Sequence, residues 1–205
     1  MTQPLLSVEA LRKQYTRGVL SRQVTFSLEA DFAVAGPSIV GVMGPNGSGK
    51  TTLFELITGS NTPTGGSVHV CGRDIHRVRY RERDRLAIHY HQSYQVRAFK
   101  RTRPNFMLEP AGTDYPMLHL FDEPQFNTQD GYIGFMLEFF RRLRGEGRLV
   151  FLCLHPTEPF HLDILRETCE QFVFVNRGRL THAPDWDTLV GRDEARGYLG
   201  ALAPT

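Results

Sequence analysis

The sequence predicts an α/β fold, in which a mixed sheet has a parallel core and antiparallel strands near the N-terminus. Strand and helix patterns alternate from residue 39 onwards, which is typical of parallel strands joined by helices. Several of these strands are continuous apolar runs, as expected for strands that are covered on both faces. Before residue 39, two strand patterns follow each other directly, which indicates additional antiparallel strands.

The individual elements follow from periodicity and turn residues. The helix after the third strand, for example, is predicted from the spacing of Leu53, Leu56 and Ile57 and from Gly59 as its end. In chain order, the predicted strands are 7–15, 23–35, 38–44, 67–72, 116–123, 148–155 and a strand within 172–180 that enters a turn. The predicted helices are 50–59, 131–145, 158–172 and a short C-terminal tail.

Length and composition favour a single globular domain. The chain has 205 residues and a formal net charge of +2, enough for one well-buried core but hardly for two full domains. Its three cysteines show no CxxC spacing and predict reduced thiols. The N-terminal segment lacks the apolar core of a signal peptide, and no apolar run reaches the roughly 20 residues that span a bilayer. We therefore expect a cytoplasmic protein that, if it meets a membrane, lies peripherally at its inner face.

A glycine-rich loop is the most specific motif in the chain. The pattern GxxxxGK[ST] is matched at every fixed position by Gly44 to Thr51, between a predicted buried strand and a predicted helix. Glycines let backbone N–H groups turn towards phosphate oxygens, and the following helix adds its N-terminal dipole. Lys50 is expected to reach the β- and γ-phosphates, and the Thr51 hydroxyl to coordinate magnesium. The sequence thus predicts a site for ATP or GTP with Mg²⁺.

Two acids and a histidine end the neighbouring apolar strands. Ligands lie beyond the carboxyl ends of parallel strands, so Asp122 and Glu123 are expected to face the bound phosphates. Asp122 is predicted to hold magnesium through water, and Glu123 to polarise the attacking water as general base. His155 ends the next strand, where it is expected to hydrogen-bond the γ-phosphate or the attacking water. The alternatives are solvated acids at a strand end and a capping or surface role for His155.

Together these residues resemble the nucleotide-binding domain of ABC ATPases, a family of P-loop nucleoside triphosphatases. The shared motifs are GPNGSGKTT, the FDEP ending, the histidine after the next strand and the closing VFVNRGRL, in the same order over most of the chain. The resemblance implies that Tyr15 stacks on adenine and that Gln92 links magnesium to the partner-facing lobe, with Gln95 as a competitor. A surface or packing role stays open for Tyr15 and Gln92. The implied ATP contacts in the loop are Gly44, Pro45, Asn46, Gly47, Ser48, Gly49, Lys50, Thr51 and Thr52.

The sequence departs from the family pattern in its middle. ABC ATPases carry a helical lobe between the glutamine and the acidic strand, and this lobe ends in a serine-glycine-glycine signature. Here Met117 lies only 25 positions after Gln92, and the one Gly-Gly pair of the chain is Gly65-Gly66. We therefore expect a much reduced helical subdomain that lacks the signature.

The missing signature bears on partners, because in the family two domains sandwich two nucleotides and each signature completes the other domain's site. The resemblance implies a second nucleotide-binding chain that supplies the signature in a heterodimer. Two alternatives stay open: the chain binds ATP as a slow switch with little turnover, or residues 93–116 replace the signature.

A basic stretch precedes the acidic strand. Residues 77–103 contain nine Lys or Arg residues, interleaved with aromatic residues and interrupted by Glu82 and Asp84. Such a stretch favours a solvated or partner-facing surface. Docking near a membrane is the second interpretation, and nucleic acid binding is the least favoured.

These observations predict one ABC-type ATP-binding domain over residues 1–205, with a shortened, basic, partner-facing region at 77–116. We expect an ATP-binding and ATP-hydrolysing subunit of an ABC-type complex, most simply a transporter with a membrane permease. Hydrolysis to ADP and phosphate would use Lys50, Glu123 and His155, with Thr51, Asp122 and Gln92 at the metal, and is expected to be weak or partner-dependent. The alternatives are a non-catalytic ATP-bound interaction module and a DNA-associated ATPase.

Overall fold

The computed structural model describes residues 3–18, 23–90, 116–124 and 132–200. Within these residues it contains ten strands and six helices. The strands are β1 (Leu6–Arg17), β2 (Gln23–Val34), β3 (Ile39–Met43), β4 (Gly65–Val70), β5 (Arg73–Asp74), β6 (Ala87–Tyr90), β7 (Leu118–Asp122), β8 (Leu149–Cys153), β9 (Gln171–Asn176) and β10 (Arg179–Ala183). The helices are α1 (Lys50–Ile57), α2 (Tyr80–Leu86), α3 (Tyr132–Gly145), α4 (Pro159–Thr168), α5 (Trp186–Val190) and α6 (Asp193–Leu199).

All ten strands form one mixed sheet in the order β5-β4-β1-β2-β10-β9-β3-β8-β7-β6. Strands β9, β3, β8, β7 and β6 are parallel to one another, whereas β5, β4, β1 and β2 pair antiparallel. Strand β10 is antiparallel to β9 and joins β2 in parallel at Arg179 and Glu29. The predicted fold class, a parallel core with antiparallel N-terminal strands, is therefore confirmed.

Helices cover both faces of the parallel core, because successive side chains of a strand point to opposite faces. Val40 and Val42 of β3 belong to the apolar cluster that also contains Phe54 of α1. Ile39 and Met43, on the other face, pack in a second cluster with residues of α3 to α6. This double cover explains why the core strands read as continuous apolar runs, and it holds the end of β3 rigidly where the glycine loop begins.

The structure differs from the prediction in several details: β5 is an additional strand, and the segment 172–180, predicted as a strand that enters a turn, belongs to two strands, β9 and β10, joined by that turn. The polar stretch after residue 77 contains α2 and β6, which the sequence pattern did not predict. Leu86 is the one buried side chain of α2, so this helix shows no apolar period in the sequence. Helix α4 ends at Thr168 rather than at residue 172, since Cys169 is already extended and the Glu170 N–H donates to the Ile39 carbonyl at the start of β3. The three cysteines are free thiols, as predicted. Among the described residues, no helix combines the length and the apolar character needed to cross a membrane.

His119 of β7 is fully buried beside the sheet core. Its Nε2 lies 3.0 Å from the Pro116 carbonyl oxygen, so this nitrogen carries the proton, and its Nδ1 lies 3.1 Å from the Tyr90 hydroxyl. Burial lowers the pKa of His119 to about 3; the hydrogen bond to Pro116 opposes this shift, and the charge of Arg148 adds to it. His119 is therefore a neutral structural histidine.

We expect this histidine to make the protein acid-sensitive below neutral pH. The folded pKa lies below the ordinary value of 6.5, so the unfolded chain binds the proton first and stability is lost as pH falls from 6.5 towards 3. Between pH 7.5 and 5.5, His119 alone should remove about 1.4 kcal/mol from the free energy of unfolding. Urea titrations at both pH values measure this loss, and His119→Gln should shrink it; equal pH dependence in the two proteins would contradict the assignment.

Candidate nucleotide-binding site

The glycine loop joins β3 to α1 and packs closely against neighbouring strands. Gly44 has a φ of 147°, and a Cβ placed there would lie 2.0 Å from the Val175 carbonyl oxygen. Gly49 has a φ of 112°, and a Cβ there would approach the Leu28 side chain to 2.7 Å. Both positions combine a left-handed backbone with a close approach, which glycine alone accommodates. The loop backbone is thus closely packed where it leaves β3 and where it enters α1.

We expect Gly44→Ala to destabilise the protein by about 3 kcal/mol or more, because it adds a backbone clash to an unfavourable φ. Gly134→Ala is the matched control: Gly134 lies in α3, has no left-handed φ, and has open space where a Cβ would be placed. Alanine there should be neutral or stabilising by up to about 1 kcal/mol. Thermal or urea unfolding measures both effects, and equal stabilities would show that the loop tolerates a side chain.

Lys50, the first residue of α1, is buried to 6% exposure. Its ammonium donates to the carbonyl oxygens of Gly44 at 2.7 Å and Pro45 at 3.0 Å. A buried ammonium needs such acceptors, since an unpaired charge is costly to bury. Phosphate oxygens at the mouth of the loop can replace or supplement these carbonyls and would be bound more strongly, because they carry charge.

Thr51 and Asp122 meet across the site although 71 residues separate them in the chain. The Thr51 hydroxyl donates to Asp122 Oδ2 at 2.9 Å, and His89 Nε2 of β6 lies 3.4 Å from the same oxygen. Burial alone would raise the pKa of Asp122, but hydrogen bonds from His89 and Thr51 outweigh it and hold that pKa below its usual value. Asp122 is therefore an anion at neutral pH, as a cation site requires.

The donor set fits magnesium bound with a nucleotide. Mg²⁺ prefers hydroxyl and carboxylate oxygens together with phosphate and water oxygens. Thr51 supplies a hydroxyl and Asp122 supplies a carboxylate. Ser48 Oγ in the loop is buried and has no hydrogen-bond partner among the described residues. A phosphate bound in the loop would offer an oxygen that accepts a hydrogen bond from this hydroxyl.

An open cavity of about 560 Å³ extends from the loop. Tyr15 stands on its wall with 38% of its surface exposed, and its ring centroid lies 6.2 Å from that of Phe26. The two aromatic residues are direct cross-strand partners of β1 and β2. The cavity is lined by Tyr15, Phe26, Asn46, Gly47, Gly49, Lys50, Thr51, Thr52 and Glu123.

Glu123 and His155 both follow the carboxyl ends of parallel strands. Glu123 has a φ of 50°, uncommon for a residue with a side chain, and its N–H donates to the Cys153 carbonyl at 3.0 Å. Such a backbone conformation persists only where the surrounding structure imposes it. It is often found at functional sites. His155 lies two residues after β8, half-buried, with Nδ1 2.8 Å from the hydroxyl of Tyr198 in α6.

The structure thus brings most of the predicted site residues to one edge of the sheet. Tyr15, Lys50, Thr51, Thr52 and Glu123 share the cavity with loop residues, and Asp122 contacts Thr51. Gln92 and Gln95 lie outside the described residues, and so does the part of the basic stretch after residue 90.

Sequence reasoning missed three residues at this edge, Phe26, His89 and Tyr198. Alternation along β2 could have indicated Phe26 as a cavity residue, and the position of His89 before Gln92 in a short strand was a weaker signal. Tyr198 comes from the C-terminal tail, and no local pattern connects it to the site.

The described part of the basic stretch uses some of its charge internally. Arg77 Nε lies 3.1 Å from Asp74 Oδ2, and Arg83 donates to the Gly59 carbonyl at 2.7 Å. Glu82 of α2 forms an ion pair with Arg73 of β5. These contacts attach α2 to the turn after α1 and to β5, as expected for a folded surface.

A glycine loop closing on a buried lysine, opposite an ionised acid on a neighbouring parallel strand, defines the class of P-loop nucleoside triphosphatase domains. A model of the family described as ABC transporter matches residues 28–138, more than half of the chain. The chain belongs to the ABC transporter family.

Two curated relatives illustrate the sequence similarity. The "ATP-binding protein ChvD" of Rhizobium radiobacter is 46% identical over 72 residues, which cover 35% of this chain and 23% of that protein. The "Lipopolysaccharide export system ATP-binding protein LptB" of Acidithiobacillus ferridurans is 37% identical over 86 residues, covering 42% and 33% respectively. The matched region therefore spans a third or less of the length of these relatives.

Solved structures share the fold over nearly the whole chain. The "ATP binding subunit of ABC transporter" superposes with a TM-score of 0.69 at 20% identity, covering 94% of this chain and 95% of that chain. A dimeric post-hydrolysis state of the ATP-binding cassette MJ0796 bound to ADP and Pi superposes with a TM-score of 0.64 at 14% identity, covering 87% and 98%. At these identities the similarity shows the fold.

Proposed function

We propose that this chain is an ATP-binding and ATP-hydrolysing subunit of an ABC-type complex, and that residues 1–205 act as one nucleotide-binding domain. The observation that carries the proposal is the 2.9 Å contact between Thr51 and Asp122, which places the end of the loop against an acid from a distant strand. Loop amides, a buried lysine and an acid-hydroxyl pair form a combination suited to a magnesium nucleotide.

We infer the following roles for the chain's own residues. Lys50 and the loop amides bind the β- and γ-phosphates and stabilise the charge that develops as the β–γ bond breaks. Glu123 accepts a proton from the water that attacks the γ-phosphorus, and His155 donates a hydrogen bond to the γ-phosphate. Thr51 and Asp122, with Gln92, would hold magnesium, which neutralises phosphate charge when bound. Tyr15 and Phe26 offer apolar faces to the adenine ring.

A second nucleotide-binding chain completes this proposal. The sequence lacks a serine-glycine-glycine signature, so a heterodimer partner that carries one would close the site over the γ-phosphate. The dimeric state of the cassette MJ0796 supports dimerisation as a working arrangement of this fold. The name of LptB, an export system ATP-binding protein, supports a transporter-like complex with a membrane permease and a cytoplasmic position at the inner face of the membrane.

Calorimetric titration of the whole chain tests the proposal. We expect saturable binding of ATP with Mg²⁺, weaker binding when EDTA removes the metal, and much weaker binding of adenosine. No heat with any magnesium nucleotide, from protein with a cooperative unfolding transition, would overturn it. GTP binding as tight as ATP binding would keep the phosphate site and remove the adenine assignment.

The missing signature also favours a second candidate, a non-catalytic module that binds ATP within a larger assembly. Steady-state phosphate release by the chain, alone and with signature-bearing partner chains, separates the two functions. ATP binding without turnover under every partner condition would favour the module.

A further inference from the structure

The hydroxyl of Tyr198 links α6 to His155, a residue of the proposed ATP site. It lies 2.8 Å from His155 Nδ1, beyond the end of β8. Burial raises the pKa of Tyr198 to about 12, with smaller contributions from Cys153 and Glu123. The phenol therefore keeps its O–H at neutral pH, and its oxygen connects α6 to the residue that follows β8.

The direction of this hydrogen bond determines which His155 nitrogen carries the proton. Because the buried phenol stays protonated, its O–H is available to donate to His155 Nδ1. A neutral imidazole whose Nδ1 accepts must carry its proton on Nε2. A γ-phosphate offers acceptors, so a histidine that binds it has to present an N–H donor. Tyr198 thus leaves His155 in the tautomer that a γ-phosphate requires.

The position of Tyr198 is fixed by packing. Its ring centroid lies 5.7 Å from that of Phe174 in β9 and 6.1 Å from that of His155. Leu199 and Ala195 of the same helix are buried in the apolar cluster that covers this face of the sheet. The hydroxyl is therefore held by a helix that is anchored independently of the site.

We propose that Tyr198 is a positioning residue for the γ-phosphate, acting by fixing the ring and tautomer of His155. The inference rests on the proposed function, since it presupposes that ATP occupies the cavity. It predicts that Tyr198 affects discrimination between ATP and ADP, which differ by the γ-phosphate, and leaves ADP affinity unchanged.

NMR of the nucleotide-free chain tests the hydrogen bond itself. Long-range ¹H–¹⁵N spectra, with the His155 signals identified by their loss in His155→Gln, should show Nε2 protonated and Nδ1 accepting. In Tyr198→Phe the Nδ1 resonance should move towards that of an imidazole with no donor beside it. A protonated Nδ1 in the unmodified protein, or an unchanged spectrum in Tyr198→Phe, would overturn the proposal without involving nucleotide.

Calorimetry then tests the consequence for binding. Tyr198→Phe should lower the ratio of ATP to ADP affinity by about tenfold, the size of one hydrogen bond to a charged group. His155→Ala should lower it at least as much, and adding Tyr198→Phe to His155→Ala should cause no further loss. Tyr80→Phe, which removes a hydroxyl from a residue 69% exposed on α2, is the matched control and should change nothing.

The outcomes separate the inference from the proposed function. If the unmodified chain binds no nucleotide, the proposed function fails, and this inference fails with it. If the unmodified chain binds ATP but Tyr198→Phe keeps the original ATP-to-ADP ratio, only the inference fails. Additive losses in the double variant would show that Tyr198 acts through packing of α6 rather than through His155, and would also overturn it.

Discussion

Lys50→Met will weaken MgATP binding by about 30-fold or more while the protein stays folded. The lysine forms charge-assisted hydrogen bonds to phosphate, which contribute roughly 1.5–3 kcal/mol each, and about 2 kcal/mol corresponds to the expected loss. The effect should be larger for ATP and ADP than for AMP, because the ammonium stands where the β- and γ-phosphates lie in this type of loop.

Stability and binding should change independently in this variant. Without nucleotide, the Lys50 ammonium donates hydrogen bonds to the carbonyl oxygens of Gly44 and Pro45. Methionine fills a similar volume and buries no charge, so the variant should stay folded. Isothermal titration gives the affinities, and urea unfolding gives the stability. Arg141→Met, which removes a positive charge from an exposed position of α3, is the control for net charge. Equal losses of ATP affinity in the two variants would mean that the site attracts nucleotide by overall charge alone.

The sheet edge that carries the site could be predicted because its signals are local. The apolar runs of β3, β7 and β8 each lead into residues of the predicted site, and the parallel arrangement places those strand ends together. The two motifs together predict that Thr51 and Asp122 lie near each other, but the 2.9 Å distance between them comes only from the structure. An element could be predicted from the sequence where its apolar periodicity ended at turn residues.

The remaining site residues depend on register and packing, which local patterns do not contain. Phe26 faces the cavity because β2 pairs with β1 so that Phe26 lies opposite Tyr15, and the strands contain register shifts that a sequence does not reveal. Tyr198 reaches His155 because the buried residues of α6 seat that helix on the sheet. In α2, arginines at most surface positions conceal the helix, since a single buried leucine gives no period.

The two ends of the site also differ in how they are built. The loop side is rigid: Gly44, Gly49 and Gly178 each approach neighbouring atoms too closely for a Cβ. The Gly178 N–H donates to the Ser48 carbonyl at 3.0 Å, so the turn between β9 and β10 supports the loop from behind. The acidic side depends on a strained residue, Glu123, whose backbone is held by β8. This contrast fits the proposed function, in which the loop is a preformed phosphate cradle and the fold holds Glu123 in position.

Glu123→Gln should therefore lower turnover by about 100-fold or more and leave ATP affinity within about threefold of the original. The amide keeps the size of the side chain and the backbone hydrogen bond to Cys153, but it cannot accept a proton from water. Phosphate release should be measured with the signature-bearing partner chain that gives the unmodified protein its highest turnover.

Glu158→Gln provides the matched control, since Glu158 is an exposed glutamate that caps α4 beyond the same strand, β8. Its turnover should stay within about twofold of the original, because surface substitutions usually have small effects. If Glu123→Gln retains turnover, the attacking water loses its proton elsewhere, and the strain at residue 123 then serves structure. If Glu123→Gln loses ATP binding together with turnover, the carboxylate contributes to the ground-state complex, and its assignment as general base is wrong.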